Sequence, residues 1–135
     1  DFAETLNGAY LGRGGDITIQ ANGFAYEVHM RHRFRFNSSY NPLHTCRQYL
    51  RFVDANKDIV VVAHNHISAI SIEEFQNKPR VLVRSGTFKL TDRYADKKSY
   101  APKTHPDRLP VVFLNLDKKE MRIGFSLEEV RDFYK

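Results

Sequence analysis

Six histidines are spread along the chain: His29, His32, His44, His64, His66 and His105. Only His64 and His66 have a spacing with a mechanism behind it. They close the run Asp58-Ile59-Val60-Val61-Val62-Ala63-His64-Asn65-His66, and in extended backbone residues two apart project to the same side. Two neutral imidazoles sharing one small volume can bind a transition metal at nitrogen–metal distances of about 2.0–2.1 Å. Open α/β sheets place ligands at the carboxyl ends of their strands, where this pair falls. The plain alternative is two solvated loop histidines. His32 offers a third nitrogen at the end of another predicted strand. Otherwise it is a half-exposed member of the basic run Arg31–Arg35. His29 and His32 have an odd separation and so fall on opposite faces of a regular strand.

The elements that must position these residues follow from pattern. Ala9–Leu11 and Ile17–Gln20 read as short strands around Gly12-Arg13-Gly14-Gly15. Asn22-Gly23 tolerates positive φ and joins Asp16–Gln20 to Phe24–His32 as a hairpin. In the second strand Phe24, Tyr26, Val28 and Met30 alternate with polar residues, the period of a half-buried strand. Arg33–Pro42 is loop, and a helix over Leu43–Ala55 buries Leu43, Cys46, Tyr49, Leu50 and Val53. Asp58–Ala63 has no alternation and reads as a strand buried on both faces. Ser68–Phe75 and Arg80–Arg84 are strands around a turn at Asn77-Lys78-Pro79. A short helix near Asp92–Lys98 interrupts the irregular stretch Thr87–Pro110. Val111–Leu116 and Glu120–Gly124 form a second hairpin. Ser126-Leu127-Glu128-Glu129 is a capping box opening a last helix, Leu127–Tyr134. The fold class is α/β, with α+β as the alternative, in a single domain over 1–135.

Composition sets the outer limits. The chain has 135 residues, 21 Lys+Arg against 16 Asp+Glu and a formal charge of +5. A chain of this length buries about two-thirds of its surface, so it has a true core. No apolar run nears the roughly 18 residues of a membrane span, and no signal-peptide pattern is present. The single Cys46 excludes an intrachain disulfide and fits a reducing, cytoplasmic setting. The basic balance points mildly to phosphate-bearing partners. The chain opens on Asp1 rather than Met, leaving room for residues ahead of it.

Together these segments resemble the calcineurin-like metallophosphoesterases, particularly phage-type members. Asp58–His66 resembles the family's Gly-His-x-His motif, with Ala63 in place of the usual Gly. His32, in Val28-His29-Met30-Arg31-His32-Arg33-Phe34, matches its lone upstream histidine. Asn37-Ser38 to Asn41-Pro42, and Ser85-Gly86-Thr87-Phe88-Lys89 to Asp92-Arg93-Tyr94-Ala95, fit the same superfamily. The likeness spans nearly the whole chain but only the carboxyl-terminal half of such an enzyme. It implies half of a two-sheet sandwich with a dinuclear Mn, Fe or Zn site, His32 and His64 on one ion and His66 on the other. The bridging carboxylates belong to amino-terminal motifs (Asp-x-His, Gly-Asp, Gly-Asn-His-Asp/Glu) that this sequence lacks. Gly15-Asp16 is not one of them, because it precedes its strand.

Two cations about 3.5–4 Å apart clamp a phosphate and acidify a bridging water. Three imidazoles carry no charge to hold two dications together, so at most one ion is expected on this chain alone. The resemblance therefore implies hydrolysis of phosphomonoesters or phosphodiesters, nucleotides or nucleic acid favoured, completed by an amino-terminal half or a second copy. A non-catalytic basic binding module with vestigial histidines is the alternative, and a self-sufficient three-histidine zinc hydrolase a third. Asn37 and Asn41 are candidates for substrate contact, or for local turns. Arg31, Arg33 and Arg35 share a face able to grip phosphates, or protect a strand edge. His44 reads as surface and Cys46 as inert core.

Overall fold

A computed structural model describes residues 8–38, 40–87 and 109–132. Its elements run β1 (Gly14–Gln20), β2 (Ala25–Arg31), α1 (His44–Phe52), β3 (Ile59–Val62), β4 (Ala69–Phe75), β5 (Lys78–Arg84), β6 (Val111–Leu114), β7 (Met121–Gly124) and α2 (Leu127–Arg131). The protein is mixed α/β. Five strands form one sheet in the order β1-β2-β3-β5-β4, and β6 and β7 form a second, two-stranded sheet. β2, β3 and β5 are parallel, with Arg31, Val62 and Arg84 side by side at their carboxyl ends. β1 and β4 flank them antiparallel.

The alternation along the strands becomes two faces. Val28, Ile59 and Val81 stand in register and pack with Val83, Ile17, Ile19 and Ile70 against Val112, Leu114, Met121 and Ile123 of the β6–β7 hairpin. Tyr26 fixes that hairpin: its hydroxyl donates to the Asn115 carbonyl at 2.6 Å and accepts from Glu120 N–H at 3.1 Å. On the opposite face Val60, Val62 and Leu82 pack against Leu43, Cys46, Tyr49 and Leu50 of α1 and its start. The spacing of those four residues puts them on one stripe of the helix, which is why α1 lies flat on the parallel strands.

Several boundaries differ from the sequence reading because backbone hydrogen bonds decide them. Ala9–Leu11 is not a strand; the Leu11 carbonyl accepts from Gly14 N–H at 3.1 Å in a turn through Gly12, φ +61°. Gly14 and Gly15, read as a break, lie inside β1. A Cβ on Gly14 would stand 2.5 Å from the Arg31 Cβ, so the close pairing there requires glycine. The first helix stops at Phe52 rather than Ala55, since both Val53 and Asp54 N–H turn back to the Tyr49 carbonyl and Asp54 accepts from Asn56 N–H at 2.9 Å. The β4–β5 turn is Gln76-Asn77, both at positive φ, as a two-residue hairpin demands. Lys78 and Pro79 belong to β5, and Pro79 precedes the pairing with β3, which starts at Val81. α2 ends at Arg131; Ser126 Oγ accepts from Glu129 N–H at 3.1 Å, but the Glu129 carboxylate takes Phe125 N–H rather than that of Ser126. The remaining strands fall within two residues of the spans read from sequence. The helix expected near Asp92–Lys98 and the segment Phe88–Ala95 lie outside the described residues. Among those described, no helix is long and apolar enough to cross a membrane.

Candidate functional site

The parallel register of β2 and β3 places Arg31 beside Val62, and Ala63 N–H donates to the Arg31 carbonyl at 3.1 Å. The residues that follow on each strand therefore emerge at one edge. His32 and His64 meet there, ring centroids 5.1 Å apart and planes at 81°. This is the carboxyl-terminal edge of the parallel strands, where open sheets bind ligands.

His64-Asn65-His66 is not extended backbone, contrary to the argument from a two-residue period. β3 ends at Val62, and His64 and His66 both sit in the left-handed region at φ 87° and 58°. For non-glycine residues such conformations cost about 1–3 kcal/mol each and persist only where surroundings impose them. Asn65 supplies the constraint. Its side-chain oxygen accepts from Arg84 Nε at 2.8 Å and from Ile67 N–H at 3.4 Å.

Arg84, at the end of β5, is 1% exposed. Besides Asn65 it donates through Nη2 to the Asn37 side-chain oxygen, while Nη1 is buried with no hydrogen-bond partner. Its partners are neutral amides, so its charge is not cancelled. Burial lowers the Arg84 pKa, yet a guanidinium remains protonated in proteins. Its field reaches His64, whose pKa is lowered first by burial and then by Arg33, His32, Arg84 and His66. A depressed imidazole is neutral at physiological pH, the form that binds metal.

Of the residues singled out from sequence, His32, His64, Arg33 and Asn37 gather at this edge. His66 adjoins them closely enough to act on His64. Arg31 and Arg35 instead lie over the Phe34 ring at 5.1 and 5.8 Å. Asn41 serves the helix: its side-chain oxygen accepts from Arg47 Nη1 at 2.8 Å, and Arg47 in turn forks onto Glu73 at 2.7 and 2.6 Å. Sequence reasoning missed Arg84 and Asn65. Their signals were an arginine closing the apolar run Val81-Leu82-Val83 and an amide between two histidines. His29 lies apart, its Nδ1 donating to Asp16 at 2.7 Å and its ring stacked on Tyr49 at 4.0 Å.

The donor set fits a metal in part. His32 and His64 offer two nitrogens, one held neutral. Among the described residues no three His, Cys, Asp or Glu side chains are grouped so as to hold an ion. Comparison with family models, with curated proteins and with solved structures finds no match for this chain.

Proposed function

We propose that this chain is the carboxyl-terminal half of a metallophosphoesterase-type hydrolase acting on phosphomonoesters or phosphodiesters. The observation that carries the reading is the meeting of His32 and His64 at the carboxyl ends of adjacent parallel strands. His32 and His64 would hold one ion and His66 would face a second, with bridging carboxylates contributed by an amino-terminal half. When bound, Mn, Fe or Zn ions would supply Lewis-acid charge on the phosphate and an acidified water. The chain's own residues do the rest. Arg33 and Arg84 place positive charge beside the imidazoles, where the phosphate's charge would be matched. Asn65 and Asn37, both on Arg84, hold the histidine turn and the Arg33–Pro42 loop in one arrangement. Partial desolvation and the neighbouring cations lower the His64 pKa, which favours the neutral form that binds metal.

A second reading is a basic binding module without catalysis. It is favoured by Arg31, Arg33 and Arg35, none of which pairs with a carboxylate among the described residues. An aryl phosphate assay with Mn²⁺, run with and without a segment carrying the Asp-x-His and Gly-Asn-His motifs, separates the two. The hydrolytic reading expects turnover only with that segment, lost in His64→Ala. Turnover equal in His64→Ala, or none in the completed protein, contradicts it.

A further inference from the structure

The loop leaving the histidine edge carries a feature the hydrolytic reading does not use. Phe34 turns inward, edge-on to Tyr49 at 5.6 Å, but Phe36 turns out, 43% exposed. It does so at φ +63°, a conformation that bulky side chains rarely adopt. Thr45 Oγ1 donates to the Arg35 carbonyl at 2.9 Å and ties that turn to α1. Phe36 then stacks on Phe52, itself 55% exposed, with centroids 5.9 Å apart and planes at 26°. Arg35 lies over Phe36 at 5.2 Å and Arg51 over Phe52 at 5.3 Å. Among the described residues neither arginine meets a carboxylate.

We propose that this arginine–phenylalanine platform binds single-stranded nucleic acid; it rests on the proposed function only in naming the polynucleotide as that site's substrate class. The two rings stack on each other at 26° with a guanidinium over each, so the outer guanidinium planes and the exposed ring edges form the surface on which unpaired bases stack irrespective of sequence. Guanidinium groups held on the ring faces add cation–π attraction and keep N–H groups free for phosphate oxygens. Duplex fits poorly, because its bases are already stacked on one another. Arg33, two residues before Arg35, lies close enough to His64 for its charge to lower that imidazole's pKa, so a strand lying across the platform is led towards the histidines. Backbone strain spent on exposing a phenylalanine needs such a use.

The test is fluorescence anisotropy of a short labelled oligo(dT) strand with the purified chain, without metal, against a duplex of equal length and heparin. Single strand binds more tightly than duplex, and Phe52→Ala weakens it by about tenfold or more. Phe52 is half-exposed, so that variant keeps its fold, which circular dichroism verifies. Arg35→Ala with Arg51→Ala flattens the salt dependence, and Lys118→Ala, in the β6–β7 connection, changes nothing. Equal affinity for duplex and heparin, an unchanged Phe52→Ala, or no binding at all overturns the proposal. So does self-association abolished by Phe52→Ala without oligonucleotide binding, which assigns the rings to a second copy of the chain. Because no metal or turnover is involved, failure here leaves the histidine site to its own assay, and the reverse.

Discussion

The two ends of the parallel strands are built from similar residues but settle their charges differently. At the amino-terminal end, Asp58 faces Arg80 at 3.6 Å and Lys119 at 3.1 Å, and its other oxygen accepts Glu27 N–H at 2.8 Å. Lys57 nearby lies within 3.5 Å of both Asp16 and Asp54. Each buried charge there has an opposite. At the carboxyl-terminal end, Arg84 has only the amides of Asn65 and Asn37 as partners, and among the described residues neither it nor Arg33 forms an ion pair with a carboxylate. Matched charge is how a scaffold keeps ionised groups out of water. Positive charge on Arg33 and Arg84 without a carboxylate opposite, with a strained turn beside it, is what the proposed hydrolytic reading expects of this edge.

The comparison can be broken most severely at the matched end. Asp58→Ala leaves Arg80 buried without its carboxylate and should cost about 3–5 kcal/mol, read from urea unfolding; a loss below about 1 kcal/mol would show that the pairing is incidental. The next effect concerns Cys46, beneath the carboxyl-terminal end, whose thiol burial pushes up from 9.0 to about 11 despite Arg84 nearby. A folded pKa raised above the unfolded one gives stability that is present below about 9 and lost as pH rises towards 11. Unfolding free energy should therefore fall by up to about 2–3 kcal/mol from this group across that window, and Cys46→Ala should make the slope shallower, leaving the part owed to the raised Tyr49 and Lys57. A slope unchanged in that variant would mean the thiol is not its source.

Arg84→Met should cost less, about 1–2 kcal/mol, because it removes two hydrogen bonds and relieves an unpartnered buried nitrogen. Its mark should appear instead in the imidazole resonances of His64 and His66, which shift as Asn65 is released. Unchanged resonances would separate Arg84 from the turn. The smallest effect is electrostatic. His64 should titrate below the ordinary 6.5, and Arg33→Ala should move it upward. Movement downward, or none, would remove Arg33 from its surroundings.

Much of this architecture was legible in the residues. Phe24–His32 gave β2 as a strand, although its alternation fails at the end, where Met30 is exposed and His29 is buried against Tyr49. Ile59–Val62 gave its mostly buried neighbour, and Asn22-Gly23 the first hairpin. The convergence of His32 on His64 followed from two strand ends, once those strands are parallel neighbours. What could not be read was set by distant partners. Gly14 and Gly15 looked like punctuation because the close approach of Arg31 that requires a glycine is invisible locally. The left-handed histidines depend on Arg84, nineteen residues from the Asn65 it holds. Asn41 looked like Asn37, yet Arg47 takes one and Arg84 the other.

The most direct test of the account is a Zn²⁺ titration of the chain followed through its histidine side-chain resonances. His32, His64 and His66 should move together, saturating at no more than one equivalent, with His29 and His44 unaffected and the response gone in His64→Ala. If His32 stays still while His64 shifts, or if His64→Ala binds as before, the two strand ends do not form a metal site.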